Sequence, residues 1–288
     1  MKCRIIIFFL LFAFVIKAQQ TIQLYDDSLQ QVKLTIYLPQ QCNNHPTPAI
    51  AVFPGGSYCW LDRNKEGHKV AQWLQQQGIA AFMLEYRVVT IAKFSTGARV
   101  FTGEAMYPQM LNDAKATINH IRQNAKQYNV NPEQIGTIGF SAGGHLSLML
   151  GEKCSNDSLY HPNFTAAIYP VVTFTDKRHT HHRTRRAALG IYNQYNKKLQ
   201  QPLSLELNVP PTMPPTFLLC CRDDHTVDYE NTILMDNALT EKNIPHLTTI
   251  YNYGDHGFGA EPQKFTPETA QWQQTFINWL KTIIKYEY

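Results

Sequence analysis

Early in the chain, apolar and polar positions alternate twice. Thr21, Ile22, Gln23, Leu24 and Tyr25 form one run and residues 32–38 another, with Asp26, Asp27 and Ser28 between them. A period of two on both sides of a polar turn predicts an antiparallel hairpin. Residues 40–48 are polar and proline-bearing, which reads as a loop. From residue 49 the pattern changes to short unbroken apolar runs at 49–53, 80–84, 135–140, 166–172, 216–221 and 247–251. Such runs suit strands buried on both faces. Residues 70–77, 108–128, 141–150 and 229–243 between them, and 270–284 after the last, carry helical periodicity, the first being stopped by Gly78. The alternation predicts an α/β domain: a mostly parallel central sheet with an N-terminal antiparallel hairpin and helices on both faces. No internal repeat or Gly/Ser linker interrupts residues 19–288, so a single domain is expected there.

Two stretches break the alternation. Residues 90–106 form a long connector with little periodicity, a length that is often functional. Residues 176–207 begin with a basic run containing Lys177, Arg178, Arg183, Arg185 and Arg186 and continue as a polar stretch, which predicts a small helical excursion over the sheet.

Residues 1–18 stand apart. Lys2 and Arg4 precede an apolar run at 5–16, and Ile16, Lys17 and Ala18 precede Gln19. This is the layout of a cleaved secretory leader, cut near Ala18, and the run is short for a membrane span. Export to the periplasm or beyond is expected, with no membrane span after cleavage. The cut removes three of the 26 basic side chains and no acid, leaving 23 against 22, so the formal charge falls from +4 to +1. A nucleic-acid partner then lacks its electrostatic basis. Five cysteines follow the leader, at 42, 59, 154, 220 and 221. An odd count excludes a fully paired framework, and the spacings are not those of a zinc site. Cys220 and Cys221 sit in an apolar run and read as buried thiols; one disulfide among the others is compatible with export.

The sharpest chemical signal is Gly139-Phe140-Ser141-Ala142-Gly143, placed after an apolar strand and opening a helix. Glycines flank a serine in this way where a tight strand-to-helix turn lifts the hydroxyl clear of the sheet and aims the helix N-terminus at it. A serine needs a base, and the base needs a third group to hold it. In this kind of sheet the order is Ser, then Asp or Glu, then His, each after a later strand. His256, between Gly254 and Gly257 after the last strand, is the candidate base. Asp223 and Asp224 follow the strand at 216–221, and only one can face the histidine; Asp224 is favoured because it starts an Asp-x-x-Val pattern, with Asp223 the fallback. Asp255 is too local to orient the ring of His256 and reads as a turn residue, and His225 reads as solvent-facing. An oxyanion needs backbone N–H donors. Ala142, after the nucleophile, and Gly56 and Ser57, in the glycine-paired loop after residues 49–53, are the candidates.

Other residues invite weaker readings. His179, His181 and His182 alternate with Lys and Arg, which disfavours a bound cation, so they read as a solvated basic face and no metal is expected. His145 reads as a satisfied structural histidine. Tyr58, Trp60, Phe101 and Tyr107 are candidates for a sugar-stacking platform at the mouth of the site.

Several segments together carry a resemblance: Pro54-Gly55-Gly56-Ser57-Tyr58, Lys65-Glu66-Gly67 with Ala71, Glu85-Tyr86-Arg87, Gly139 through Leu146, Pro214 through Leu218, Asp223-Asp224 with Glu230-Asn231, and Gly254 through Gly259. From about residue 50 to 280 the chain resembles the exported bacterial α/β-hydrolase family of acetyl-xylan and related carbohydrate esterases. The resemblance implies the α/β-hydrolase fold, a triad of Ser141, Asp224 and His256, and hydrolysis of short acyl esters, acetyl above all, on plant polysaccharides or oligosaccharides through an acyl-enzyme, with no cofactor. It makes residues 183–190 a structural segment before the acid strand. Where the family usually has proline after the acid-loop valine, this chain has Asp228, and its 90–106 connector is long. A feruloyl esterase, an exopeptidase and a glycan-binding pseudo-enzyme are the alternatives on the same fold.

Overall fold

The computed structural model describes residues 19–25, 32–39, 45–89 and 105–284. The expected leader, Cys42, Phe101, the hairpin turn and most of the 90–106 connector lie outside the described residues. In chain order the strands are β1 (Gln19–Gln23), β2 (Lys33–Tyr37), β3 (Thr47–Phe53), β4 (Ala80–Glu85), β5 (Val130–Phe140), β6 (Phe164–Ile168), β7 (Thr216–Cys221) and β8 (His246–Tyr251). The main helices are α1 (Lys69–Gln76), α2 (Gln109–Gln123), α3 (Ala142–Lys153), α4 (His182–Leu189), α5 (Glu230–Glu241) and α6 (Trp272–Ile283).

The strands make one sheet in the order β1-β2-β4-β3-β5-β6-β7-β8. β1 and β2 pair antiparallel, β2 joins β4 antiparallel, and from β4 to β8 every pairing is parallel. Side chains along β3 divide between two cores: Ala49, Ala51 and Phe53 pack on one face, Ile50 and Val52 on the other. The first face is covered by α2, α3 and α5 through residues such as Met110, Leu146 and Met235, the second by α1 and α6 through Leu74, Trp272 and Phe276. The expected mostly parallel sheet with helices on both faces is therefore present, and its carboxyl ends collect the loops that matter for chemistry.

Three elements depart from expectation. The helix expected over 108–128 stops at Asn124, whose side-chain amide donates to the His120 carbonyl at 2.8 Å and competes with the backbone ladder; a single turn, Ala125–Tyr128, follows and ends at Asn129 in the left-handed region, φ 52°. β6 stops at Ile168 because Tyr169 turns the chain with φ 40°. A π-helical turn, Arg63–His68, precedes α1 in a stretch to which the sequence assigned no element.

Near the end of α3, Glu152 is buried beside Lys153 at 2.6 Å, and burial pushes its carboxyl up to about 7 from 4.5. The folded chain thus keeps a proton that the unfolded chain releases. The resulting stability is whole below pH 4.5 and is lost as pH rises through 7. Glu152→Gln is expected to stabilise the fold at high pH by on the order of 3 kcal/mol, with little change at low pH. Thermal unfolding on both sides of that window checks this; an equal shift at both ends overturns it.

Candidate active site

Ser141 bridges β5 and α3 with φ 55° and ψ −117°, a sparsely populated backbone conformation. The turn admits only glycine at its flanks. A Cβ on Gly139 would meet the Gly143 carbonyl oxygen at 2.0 Å, and one on Gly143 would meet the Phe53 carbonyl oxygen at 2.0 Å. The Ser141 N–H donates to the Ile168 carbonyl at 2.9 Å, tying the turn to the end of β6.

Three side chains from different loops meet here. His256 Nε2 lies 2.9 Å from Ser141 Oγ, and its Nδ1 lies 2.7 Å from Asp224 Oδ2. The other Asp224 oxygen accepts from the N–H groups of Thr226 and Val227, both at 2.8 Å, and the side chain is 0% exposed. With its carboxylate so fixed, Nδ1–H donates to Asp224 and the Nε2 lone pair faces the serine hydroxyl. Asp223 points elsewhere. Its carboxylate accepts from the N–H groups of Gly254 and Asp255, each at 2.9 Å, and so holds the loop that carries His256. Asp255 is a turn residue with φ 51° that accepts from the His225 N–H at 3.1 Å, and the His225 side chain is exposed.

The loop after β3 packs directly on the serine turn, since a Cβ on Gly55 would lie 2.9 Å from Ser141 Cβ. Gly56, Ser57 and Tyr58 all have positive φ, 134°, 57° and 59°, and the Gly56 carbonyl turns inward to accept from Cys59 and Trp60. This orientation leaves the Gly56 and Ser57 N–H groups without an acceptor among the described residues, and the Ala142 N–H at the start of α3 lacks one there too.

Tyr58 is not part of a sugar platform. It is fully buried, and its hydroxyl meets His145 Nδ1 at 2.8 Å. His145 Nε2–H donates to the Leu203 carbonyl at 2.9 Å, so Nδ1 is the acceptor and the ring is neutral. Burial pushes this imidazole down to about 4, and it stacks on Phe174 at 4.8 Å. His145 is thus the structural histidine expected, and it anchors the loop carrying Gly56 and Ser57. Trp60 lies half-buried with the Arg183 guanidinium 5.5 Å from its ring centre, and Tyr107 packs partly buried against the core.

Glu66 had no role assigned from the sequence. It sits in the π-helical turn and is 3% exposed. One carboxylate oxygen accepts from the Gly55 N–H at 2.8 Å, the other from the Tyr169 hydroxyl at 2.8 Å. That hydroxyl also accepts from the Gly259 N–H at 3.0 Å, and the Tyr169 ring lies 4.5 Å from that of His256. The neighbouring Lys65 donates to the Gly257 carbonyl at 3.0 Å. One buried acid therefore joins the Gly56 loop to the His256 loop, and burial raises its pKa above the ordinary carboxylate value.

The histidine cluster is a correction as well. His182 is exposed, but His179 pairs with Asp228 at 2.6 Å and His181 bonds Thr184 at 2.7 Å, so these two are tied into the fold rather than solvated. Among the described residues no group of His, Cys, Asp and Glu is arranged to hold a metal. Cys59, Cys154, Cys220 and Cys221 are buried, and none of the four forms a disulfide. No helix among the described residues is long and apolar enough to cross a membrane.

Comparison with known proteins agrees with this architecture. The chain is 31% identical over 265 residues, 91% of its length, to an acetylxylan esterase of Xylanibacter ruminicola, and 30% identical over 225 residues, 75% of its length, to endo-1,4-beta-xylanase B of Butyrivibrio fibrisolvens. It spans half the length of the first and a third of the second. The crystal structure of an acetyl ester-xyloside bifunctional hydrolase from Caldicellulosiruptor lactoaceticus superposes with a TM-score of 0.78 at 29% identity, covering 92% of this chain and 96% of that one. The fold is that of the α/β-hydrolases, and since residues 34–239 match the BD-FAE family, the chain belongs to that family.

Proposed function

We propose that the chain is an exported serine carboxylic ester hydrolase that removes short acyl groups, acetyl above all, from xylan-type polysaccharide or its fragments. The observation that carries this reading is the unbroken line Asp224–His256–Ser141, at 2.7 and 2.9 Å, beside three N–H groups without acceptors among the described residues. Ser141 Oγ attacks the ester carbonyl carbon while His256 Nε2 takes its proton. The carbonyl oxygen becomes an oxyanion held by the N–H groups of Gly56, Ser57 and Ala142. Collapse breaks the bond to the leaving alcohol, which receives the proton from His256, and leaves Ser141 acylated. Water, deprotonated by the same imidazole, then releases the acid and restores the serine. The relatives named acetylxylan esterase and xylanase support a xylan-related ester, and residues 1–18 support export.

Fluorophosphonate labelling tests the chemistry, with a single adduct expected on the peptide containing Ser141. An unlabelled native protein overturns the reading in favour of a glycan-binding pseudo-enzyme. Acetate release from acetylated xylan is expected to exceed ferulate release from methyl ferulate and cleavage of a dipeptide anilide; the reverse order moves the substrate class.

Glu66 acts in this scheme as a positioning residue, because it holds Gly55 beside the oxyanion donors. Glu66→Gln keeps its volume but replaces one acceptor with a donor, facing either the Gly55 N–H or the Tyr169 hydroxyl. We expect kcat for p-nitrophenyl acetate to fall about tenfold, less than the loss of a direct oxyanion donor, with KM nearly unchanged. A change confined to KM overturns that role.

A further inference from the structure

The basic run in the sequence has no part in this chemistry. Between residues 176 and 198 seven Lys and Arg stand against one acid, Asp176. Part of this segment, with residues just after it, encloses a cavity of about 670 Å³ bordered by Lys177, Arg185, Lys197, Tyr195, Gln201 and Leu207 among others, with no acidic residue in its wall.

Arg185 is the anomalous member. It is 3% exposed, and its guanidinium donates to the Phe174 carbonyl and to His182 Nδ1, each at 3.2 Å. Its Nε–H is buried with no partner, and no described carboxylate pairs with the group. At Asp113, by contrast, the chain matches a buried charge. Asp113, fully buried, receives Arg87 at 2.6 Å and the Tyr25 hydroxyl at 3.0 Å. A buried cation without a counter-ion is costly, and burial pulls Arg185 below the ordinary guanidinium pKa. No described group supplies its counter-ion, so an anion from outside could take that place.

The rest of the wall says what carries that anion. Tyr195 is 73% exposed with the Arg185 guanidinium 5.4 Å from its ring centre, and Leu207 is also exposed. A phenol ring, an aliphatic face and the Gln201 amide suit a sugar ring and its hydroxyls, for which a bare inorganic anion has no use. The volume falls in the range of small-ligand sites, roughly 300–1,000 Å³. Helix α4 joins the cavity to the candidate active site, since His182 borders both this cavity and a cleft reaching Asp224, and Arg183 lies over Trp60.

We propose that this cavity is a subsite for a carboxylate-bearing sugar, a uronic acid unit of the polysaccharide, with Arg185, Lys177 and Lys197 taking the carboxylate and Tyr195 the ring. The proposal rests on the reading of the chain as a polysaccharide esterase and concerns which stretch of polymer it selects.

Calorimetric titration of the full Ser141→Ala chain tests it without turnover. The probes are xylotetraose, xylotetraose bearing one glucuronic acid, and inorganic phosphate. The acidic oligosaccharide is expected to bind about tenfold tighter than the neutral one, as charge-assisted pairing with Arg supports. That preference should vanish in Lys177→Ala/Lys197→Ala, whose changes are at the exposed surface, and in Arg185→Gln. Phosphate should bind far more weakly than the acidic oligosaccharide. Equal binding of the two oligosaccharides, a preference that survives the double substitution, or phosphate binding as tight as the uronate overturns the subsite. Since fluorophosphonate labelling reports on Ser141 alone, loss of this preference leaves the esterase reading standing, and failed labelling leaves the titration interpretable.

Discussion

Ser141→Ala is expected to lower kcat for p-nitrophenyl acetate by about five orders of magnitude, the scale of losing a triad nucleophile. The methyl group cannot attack the carbonyl, and among the described residues no neighbouring hydroxyl replaces it: Ser57 contributes its backbone N–H, and Thr226 lies in the loop that holds Asp224. The residual rate is that of a binding site with its N–H donors intact. KM should change little, because the substitution removes one oxygen and leaves the turn in place. Steady-state kinetics on a homogeneous preparation, with an unaltered thermal unfolding curve as control, decides the matter. Retention of more than about one part in a hundred of wild-type kcat contradicts the assignment, given the usual size of such losses.

Asp224→Asn should cost about 10⁴ in kcat, whereas Asp223→Asn should cost less than about tenfold. The oxygen of the introduced amide would keep the Thr226 and Val227 N–H groups, since nothing else satisfies those donors. The amide nitrogen then faces His256 Nδ1 and donates to it. The imidazole is driven to the tautomer with its proton on Nε2, where it can no longer accept from Ser141. At position 223 the acceptor is what matters, and an amide oxygen still receives a hydrogen bond from Gly254 or Asp255. Kinetics of the two variants side by side separate these roles, and a larger loss at 223 would move the orienting acid one residue back.

Much of the site was legible because its constraints are local. The serine turn itself forces glycine at 139, where a Cβ would meet the Gly143 carbonyl, while the Phe53 carbonyl forces it at 143, and both demands show in five consecutive residues. Asp224 was separable from Asp223 through Val227, whose N–H the carboxylate accepts at 2.8 Å. The Glu66 network was not legible in this way. Its carboxylate meets partners 11 and 103 residues away, and no periodicity marks a lone acid as the tie between two loops. Asp228 was noticed as a departure from the family pattern, but its partner His179 is 49 residues distant, so the pair emerged only from the fold. Tyr58 misled for a related reason: an aromatic residue beside a glycine pair suits a binding mouth, until His145 at a separation of 87 residues takes its hydroxyl inside. Boundaries erred where one side chain or one dihedral overrode the pattern, at Asn124 and Tyr169.

The close approach of Gly143 to the last carbonyl of β3 has a consequence for how function appears as the chain folds. Ser141 is aimed only when the ends of β3, β5 and β6 stand side by side, because one supplies the carbonyl that Gly143 abuts, one the turn itself and one the acceptor for the Ser141 N–H. These contacts span well-separated stretches of the chain, the sort that form late. A chain with helices formed but these strands unpaired would hold every reactive side chain and still be chemically silent. On the proposed reading, turnover is a gauge of sheet assembly, expected to appear with the register of three strands and to vanish with it.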